Sequence, residues 1–451
     1  MTTLARRLRT FDYFTLAFGA MVGAGWLVVM DDWLQRGGPA GAMLGFAAGT
    51  LLLIPIGYAY SRMVVRLPDA GGEIAYATQA FNSKAGFAAG WMMLLAYLIV
   101  CPWEAVAIGK IAGHFIPALE THALYAIGGK TVYLPEVVLG IALTAFITGL
   151  NYRGIAVTAH FQNWATTLFL GMFAVLVVIG GKRGSAANFH PWFGHAPWIS
   201  ALLVLQIVPY FMTGFESVGK CSEECEENFE PSHYAKAIFT ALLIGGGFYV
   251  IVIAVVAFVA PWQQTAASGF ATAAAFQRIS PLMSNLIFAA AAVSLVKIFN
   301  ANFVAAARMV FALGREGSLP RVFGRVHERN QTPWAAVLLL GAITAACVIG
   351  GSQLLVAISE VGSFAAAVGW LATSAALAKL GSDRERAIAL VGAVVALCFA
   401  LLKIIPGVPG HFTWAEWVAL GVWVTTGVIF RLANQNAPNS FVLNHPVKPS
   451  K

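Results

Sequence analysis

The stretch FDYFTLAFGAMVGAGWLVVMDDW, residues Phe11 to Trp33, is long and apolar enough to cross a lipid bilayer, but Gly19, Gly23 and Gly25 lie in its middle. A glycine in a helix interior costs about 1 kcal/mol relative to alanine. A helix that only anchors a protein in a membrane gains nothing from such a cluster of glycines. The stretch therefore indicates a membrane span whose helix is interrupted near the centre of the bilayer.

The composition of the whole chain is that of a membrane protein with many spans. Of the 451 residues, 59% are hydrophobic and 11% are charged, whereas soluble domains carry about 25% charged residues. The longest polar stretches, near 181–198, 261–280 and 314–332, have the length of loops, so we expect no soluble domain. The first span follows without a small-residue cleavage site, which predicts a retained helix and not a signal peptide.

Twelve windows have the length and apolar character that a helix needs to cross a hydrocarbon core of about 30 Å. They are 11–33, 40–66, 84–117, 132–150, 155–180, 199–221, 234–260, 281–312, 333–350, 353–378, 387–406 and 413–432. If the N-terminus faces the cytosol, 19 of the 28 basic residues fall on cytoplasmic segments, as the positive-inside rule requires. The net charge of +8 thus follows from membrane topology and does not call for a nucleic-acid partner.

The sixth window contains a second interruption, in QIVPYFMTGFESVGK, where Pro209 and Gly214 break the apolar run. Non-helical backbone at membrane depth is tolerated only where it is buried in protein or lines a cavity. In transporters such breaks hold the solute between half-helices. The alternative is that small residues only allow close helix packing, and this is the better account of Gly41, Gly45 and Gly49 and of the run Gly245 to Gly247.

The two interruptions lie five spans apart, as two five-helix repeats of inverted topology require. The chain accordingly divides into a cytoplasmic N-terminus (1–10), a first repeat (11–180), a second repeat (199–378), two further helices (387–432) and a cytoplasmic tail (433–451).

Four segments resemble the amino acid–polyamine–organocation permeases. They are FGAMVGAGWLV in the first window, PYFMTGFESVGKCSEE in the sixth, LPDAGGEIAYATQAF from Leu67 to Phe81, and the most specific, AARMVFALGREGSLPRVFGRVHERNQTPWAAVL from Ala306 to Leu338. The resemblance covers about residues 10–380. It implies an all-α polytopic membrane protein with a LeuT-like fold of five-plus-five inverted repeats, two added C-terminal helices, and broken first and sixth spans.

The resemblance also implies a function and a site. The function is alternating-access transport of an amino acid or amine, with backbone groups of the first interruption on the substrate carboxylate and those of the sixth span on its amine and side chain. Trp26 replaces the usual isoleucine and is expected to narrow the pocket or to offer a cation–π face. The implied residues are Ala20, Met21, Val22, Gly23, Ala24, Gly25, Trp26, Tyr210, Phe211, Thr213, Gly214, Phe215, Glu216 and Ser217.

Three ionisable residues lie at membrane depth, where a charge is a functional candidate by default: Glu104, Glu216 and Lys297. Similar sodium-using transporters have Ser or Thr near Lys297, and some sodium-independent relatives supply a lysine from the fifth span, where this chain has Phe169. The Lys297 ammonium is therefore expected to fill the cation position, which favours transport without sodium and with a proton as coupling ion. The alternative is a structural pair of Lys297 with Glu104 or Glu216, since buried charges need partners.

Other features leave alternatives open. Asp31 or Asp32 faces an outer vestibule or is an exposed loop acid, and Glu216 binds a cationic substrate or nearby backbone. The acidic run Glu223 to Glu230 forms an inner gate with the basic loop Arg315 to Arg329 or is a solvated loop. The five cysteines show neither a disulfide framework nor paired metal-ligand spacing, and we expect neither cofactor nor metal.

Membrane-enzyme motifs such as HExxH and GxSxG do not occur in the sequence, so we expect no enzyme. The expected partners are a small solute, membrane lipid and protons, in the inner or plasma membrane of a bacterium. The competing functions are a cation, polyamine or inorganic-ion transporter of the same fold, a channel, and a membrane sensor. The identity of the solute, the transport mode and the oligomeric state do not follow from the sequence.

Overall fold

The computed structural model describes residues 3–127, 130–408 and 410–434, with backbone alone at 110, 114, 117, 127, 130 and 352–359. Helices make up most of this part of the chain. In its first half they are α1 (Thr10–Met21), α2 (Gly25–Val28), α3 (Met30–Arg66), α4 (Glu73–Ala80), α5 (Ser83–Leu98), α6 (Val100–Phe115), α7 (Leu134–Arg153), α8 (Ile155–Arg183), α9 (Pro197–Leu205), α10 (Val208–Met212) and α11 (Ser217–Lys220).

The second half of the described chain continues the helical bundle. Its helices are α12 (Ser232–Val259), α13 (Trp262–Ala266), α14 (Ala271–Gln277), α15 (Pro281–Arg315), α16 (Trp334–Ile349), α17 (Gly351–Leu380), α18 (Asp383–Ile404) and α19 (Trp414–Ala433). Almost all of the predicted tail, 433–451, lies outside the described residues.

Ten helical segments of the described chain are long and apolar enough to cross a membrane. They correspond to ten of the twelve windows. The other two windows are also helical: 333–350 contains the apolar 16-residue helix α16, and 199–221 is divided among α9, α10 and α11. The chain is therefore an integral membrane protein of many spans.

The first window is not one continuous helix. Helix α1 ends at Met21, Val22 has an extended backbone (φ −104°, ψ 104°), and α2 begins only at Gly25. In the sixth window, α10 ends at Met212, Thr213 is extended, and Gly214 has φ +140°, in a region that favours glycine. Proline at the start of α9 and of α10 suits the first turn of a helix.

Small residues set how closely the helices around these segments approach. A Cβ placed on Gly41, Gly45 or Gly49 of α3 would lie 2.5–2.7 Å from Ser200, Val204 and Val208 of the sixth window. This row of small residues thus lets α3 pack directly on α9 and α10, which confirms the packing interpretation for those glycines. Likewise, a Cβ on Gly246 would lie 2.1 Å from Thr50.

One element departs from the predicted all-α class. Strands β1 (Ala123–Ile127) and β2 (Lys130–Tyr133) pair antiparallel between α6 and α7. The hairpin is short and rich in residues such as Thr131, Val132 and Tyr133 that suit extended backbone. The hairpin lies between the third and fourth windows and takes up the first two residues of the fourth, so that α7 begins at Leu134.

Candidate functional site

A cavity of about 300 Å³ lies between the two interruptions and is bordered by helix α6 and by Glu360 and Ser363 of α17. Its size is at the lower end of the range for small-molecule sites. It is lined by Ala20, Met21, Gly23, Ala24, Gly25, Val28, Val29, Asp32, Arg36, Val100, Trp103, Glu104, Ala107, Ile207, Tyr210, Phe211, Thr213, Tyr249, Ile298, Glu360 and Ser363.

Helix α15 provides donors to the main-chain carbonyls that the first interruption releases. Lys297 Nζ donates to the carbonyl oxygen of Val22 at 2.5 Å and reaches that of Gly19 at 3.4 Å. Ser294 Oγ donates to the carbonyl oxygen of Gly23 at 2.9 Å. Asn302 Nδ2, two turns further along α15, donates to Ala20 O at 3.1 Å. These bonds satisfy polar backbone that would be costly to leave unpaired at membrane depth.

Tyr249 of α12 connects the two interruptions. Its hydroxyl lies 2.8 Å from the carbonyl oxygen of Met21 and 3.3 Å from that of Phe211, so one donor is shared between the ends of α1 and α10. Sequence reasoning missed Tyr249, because only the folded bundle brings the α12 residue to this point.

Unlike the carbonyl groups of the first interruption, the amide groups of three of its residues have no hydrogen-bond partner among the described residues. No hydrogen bond of the described residues uses the N–H of Gly23, Ala24 or Gly25 as a donor. All three residues line the cavity. The interruption thus has free donors on residues of the cavity wall, while its carbonyls on the α15 side are already bonded.

Lys297 is fully buried behind this wall and does not line the cavity. Its Nζ lies 5.0 Å from the ring centre of Phe18 and 5.1 Å from that of Phe169, so two aromatic faces support the ammonium. Among the described residues, no carboxylate lies within 4.0 Å of it. Main-chain carbonyls thus solvate the ammonium in place of a direct salt bridge to Glu104 or Glu216, and Glu104 interacts with it only at longer range.

Glu216 binds nearby backbone and is turned away from the cavity. Its carboxylate accepts from the amide of Gly214 at 3.0 and 3.1 Å and from the hydroxyl of Tyr97 at 3.0 Å. The residue is fully buried and absent from the wall. Of the two interpretations of Glu216, the geometry agrees with backbone bonding, which holds the turn after α10 in place.

Glu104 is the predicted ionisable residue that does face the cavity. It is 5% exposed, and its Oε2 has no hydrogen-bond partner among the described residues. A Cβ placed on Gly23 would lie 3.0 Å from its Oε1, so the carboxylate abuts the first interruption.

The sequence-predicted residues divide into two groups. Those on the cavity wall are Ala20, Met21, Gly23, Ala24, Gly25, Tyr210, Phe211, Thr213 and Glu104. Those behind it are Val22, Trp26, Gly214, Phe215, Glu216, Ser217 and Lys297. Trp26 packs against Phe169 and Phe248, so it neither narrows the cavity nor offers it a ring face.

Sequence reasoning missed much of the remaining wall. Val100, Trp103, Glu104 and Ala107 follow helical spacing on α6, a signal that could have placed Trp103 beside Glu104. Asp32 lines the cavity and pairs with Arg36 at 2.7 Å, with its side chain 43% exposed. Glu360 lines the cavity and pairs with Lys403 at 2.6 Å.

The end of the bundle near residue 8 is closed by charge pairs. Arg315 pairs with Glu223 and Asp69, each at 2.8 Å, and Arg308 pairs with Glu224 at 2.8 Å. Burial raises the pKa of Asp69 and of Glu224, and the neighbouring arginines oppose that rise. The predicted contact of the acidic run with the basic loop is confirmed for Arg315 and Glu223.

Deeper in the same end, Lys220 of α11 forms a fully buried ion pair with Glu73 of α4 at 2.5 Å. Tyr60 donates its hydroxyl to the same carboxylate. Lys220 Nζ also donates to the carbonyl oxygen of Glu216 at 3.1 Å.

A main-chain seam, formed by residues 7–8 and 224–226, ties the first and sixth windows together at this end. The amides of Arg7 and Leu8 donate to the carbonyl oxygen of Glu224, and that of Glu226 donates to the carbonyl oxygen of Leu8. Tyr13 adds a hydrogen bond to the carbonyl oxygen of Cys221 at 2.8 Å. The seam lies beside the charge pairs and completes the closed end.

A family model for amino acid permeases matches residues 8–429. The chain belongs to the amino acid permease family. The permease is therefore a transporter and not an enzyme, and the resemblance to the amino acid–polyamine–organocation superfamily is confirmed.

Several curated bacterial transporters are similar to the permease over most of their length. The methylthioribose transporter of Bacillus subtilis (strain 168) is 22% identical over 95% of this chain and 93% of its own. The amino-acid permease RocE of the same strain is 21% identical over 82% and 80%. The aromatic amino acid transport protein AroP of Salmonella typhimurium (strain SL1344) is 23% identical over 77% and 74%.

Proposed function

We propose that this permease carries an amino acid or a related organic amine across a bacterial plasma membrane by alternating access. The cavity between the two interruptions is the observation that carries the proposal. Its wall combines free backbone donors, a carboxylate and apolar side chains, which suits a small amphipathic solute. The amino acid permeases among the relatives support the same class of substrate.

The architecture belongs to the proposal. We assign a LeuT-like fold with twelve spans, in which residues 11–180 and 199–378 form two inverted five-helix repeats and 387–432 adds two helices. The support is that the interruptions after Met21 and after Met212 occur at equivalent positions, in the first and sixth windows. An inverted repeat places the solute where its discontinuous helices meet.

The orientation follows from the charges. The segments rich in Lys and Arg, among them the closed end with Arg308 and Arg315, face the cytoplasm in this proposal, together with both termini. The cavity reaches Asp32 and Arg36, which follow the first span on the opposite side. The conformation is then closed towards the cytoplasm.

We further propose that transport is sodium-independent and that protons are the coupling ion. The ammonium of Lys297 holds α15 to the first interruption through the carbonyl oxygens of Val22 and Gly19. A built-in cation at this place performs the structural work that a bound sodium ion performs elsewhere in the fold.

A ligand screen tests the proposed function. Purified full-length protein is heated with each amino acid, with polyamines and with methylthioribose, because a solute at 100 times its dissociation constant stabilises the folded state by about 2.7 kcal/mol. A stabilising solute is then used for counterflow in proteoliposomes. Saturable counterflow is expected. Rubidium uptake without amine counterflow would favour an inorganic-ion transporter, and non-saturable flux would favour a channel.

Lys297→Met tests the coupling proposal. Hydrogen bonds to a charged group contribute about 1.5–3 kcal/mol, so we expect uptake of the solute selected by the screen to fall by about tenfold or more. Uptake by the unaltered protein is expected to be the same in sodium and potassium buffers and to respond to a pH gradient.

Lys379→Met is the matched control, because Lys379 is exposed at the end of α17. It is expected to transport at the normal rate. Uptake that required a sodium gradient and ignored pH would contradict the role given to Lys297.

A further inference from the structure

Among the described residues, three carboxylates line the cavity, and one of them has no ion-pair partner there. Asp32 is paired with Arg36 at 2.7 Å, and Glu360 is paired with Lys403 at 2.6 Å. Glu104 forms no ion pair among the described residues, and its Oε2 has no hydrogen-bond partner there. An acid that is 5% exposed is costly to keep charged without a partner. A cation that binds beside Glu104 would remove this cost.

The carbonyl groups of the first interruption are already engaged. Side chains already donate to the carbonyl oxygens of Ala20, Met21, Val22 and Gly23, and Tyr249 also reaches that of Phe211. The cation of Lys297 is likewise engaged: it attracts Glu104 electrostatically across the interruption but bonds to backbone on the far side. Of the carboxylates on the described wall, Glu104 is thus the one that remains without an ion-pair partner for a solute ammonium.

A free donor set lies next to the same acid. The amides of Gly23, Ala24 and Gly25 have no acceptor among the described residues, and Glu104 Oε1 lies 3.0 Å from the place of a Cβ on Gly23. Donors and acid thus share one corner of the cavity. A solute that uses both must carry its ammonium and its carboxylate a few bonds apart, as an α-amino acid does.

The apolar part of the wall bears on the side chain of the solute. Trp103, Ile207, Phe211 and Ile298 line the cavity, and their apolar surfaces favour an uncharged side chain.

We infer that Glu104 binds the ammonium group of the solute and is the residue that restricts this permease to amine-bearing solutes, of which α-amino acids with apolar side chains fit best. The inference rests on the proposed function and adds the substrate class and the selecting residue. Solutes without an amine are rejected because they leave the buried Glu104 carboxylate unpaired.

The experiment compares three forms of one carbon skeleton. Purified full-length protein is titrated with leucine, isoamylamine and 4-methylpentanoate, and with phenylalanine, phenethylamine and 3-phenylpropanoate; methylthioribose is the amine-free sugar. We expect one amino acid series to bind, the matching amine to bind more weakly, and the deaminated acid to bind at least about tenfold more weakly than the amino acid.

Variants at Glu104 identify the residue responsible. Glu104→Gln keeps the shape of the side chain and removes its charge, so affinity for the amino acid is expected to fall about tenfold or more, while affinity for the deaminated acid stays unchanged or rises. Glu104→Asp keeps the charge and is expected to retain the preference for the amine. Glu120→Gln alters an exposed acid that does not line the cavity and is expected to bind like the unaltered protein.

The outcomes separate the two proposals. Equal affinity of Glu104→Gln and the unaltered protein for the amino acid overturns the inference, as does a preference for methylthioribose or for the deaminated acids. In either case, counterflow of the preferred solute still supports a permease. Failure of every solute to bind or to exchange overturns the proposed function itself. Loss of discrimination, measured within one folded variant, cannot be produced by misfolding.

Discussion

Replacing Gly214 by alanine is expected to abolish transport. Gly214 has φ +140°, a conformation whose strain costs a residue with a side chain about 1–3 kcal/mol. The added Cβ would also lie 2.7 Å from Ala20 Cβ and 2.8 Å from Met21 N. Since Ala20 and Met21 form the end of α1, the methyl group would push the two interruptions apart, at a further cost of about 1–3 kcal/mol.

The measurement is counterflow in proteoliposomes together with the melting temperature of the purified variant, and both are expected to fall. Gly247→Ala is the matched control. Gly247 lies inside α12 and a Cβ there meets no atom within 4 Å, so its substitution should leave transport intact and leave stability equal or slightly higher. A Gly214→Ala variant with normal transport would show that the close contact of the interruptions is not required.

Removing the charge of Lys220 is expected to destabilise the closed end severely. Lys220 and Glu73 are both fully buried and pair at 2.5 Å. Loss of one member of a buried pair leaves an unpaired charge, at a cost of about 3–5 kcal/mol. Lys220→Met should therefore lower the melting temperature sharply, and it should free α11 from α4.

The double variant Glu73→Gln, Lys220→Met separates the charge effect from the packing effect. It removes both charges and leaves an amide that can still accept the hydroxyl hydrogen of Tyr60. We expect it to recover most of the melting temperature lost in Lys220→Met, because no unpaired charge remains. A double variant as unstable as the single one would assign the stability to the shape of Lys220 and not to its charge.

Local signals in the sequence identified the spans and both interruptions. Apolar windows, prolines and glycine clusters act within a few residues, so the end of α1 at Met21 and the turn at Gly214 fall inside the predicted segments. The resemblance to the permeases, and not these signals, placed Lys297 opposite the first interruption. The local signals also showed that Gly41, Gly45 and Gly49 serve helix packing.

The wall of the cavity was harder to predict, because it depends on contacts distant in sequence. Tyr249 and Glu360 come from elements that only the assembled bundle brings beside the first span. For Lys297 the sequence left two interpretations open, a cation position at the first interruption and a pair with a carboxylate. The bonds of its ammonium to carbonyl oxygens of the interruption agree with the first interpretation. Glu216 was placed on the wall by its motif, yet its carboxylate turns back to Gly214.

The seam between residues 7–8 and 224–226 constrains how the closed end can open. With the bond from Tyr13 to Cys221, it fastens the part of the first span before its interruption to the part of the sixth span after its own. In the proposed transport cycle, these two half-spans move together as one rigid body. The unwound residues around Val22 and Gly214 act as its hinges. A movement of one half-span is then transmitted to the other directly through these hydrogen bonds, whether or not a solute is bound.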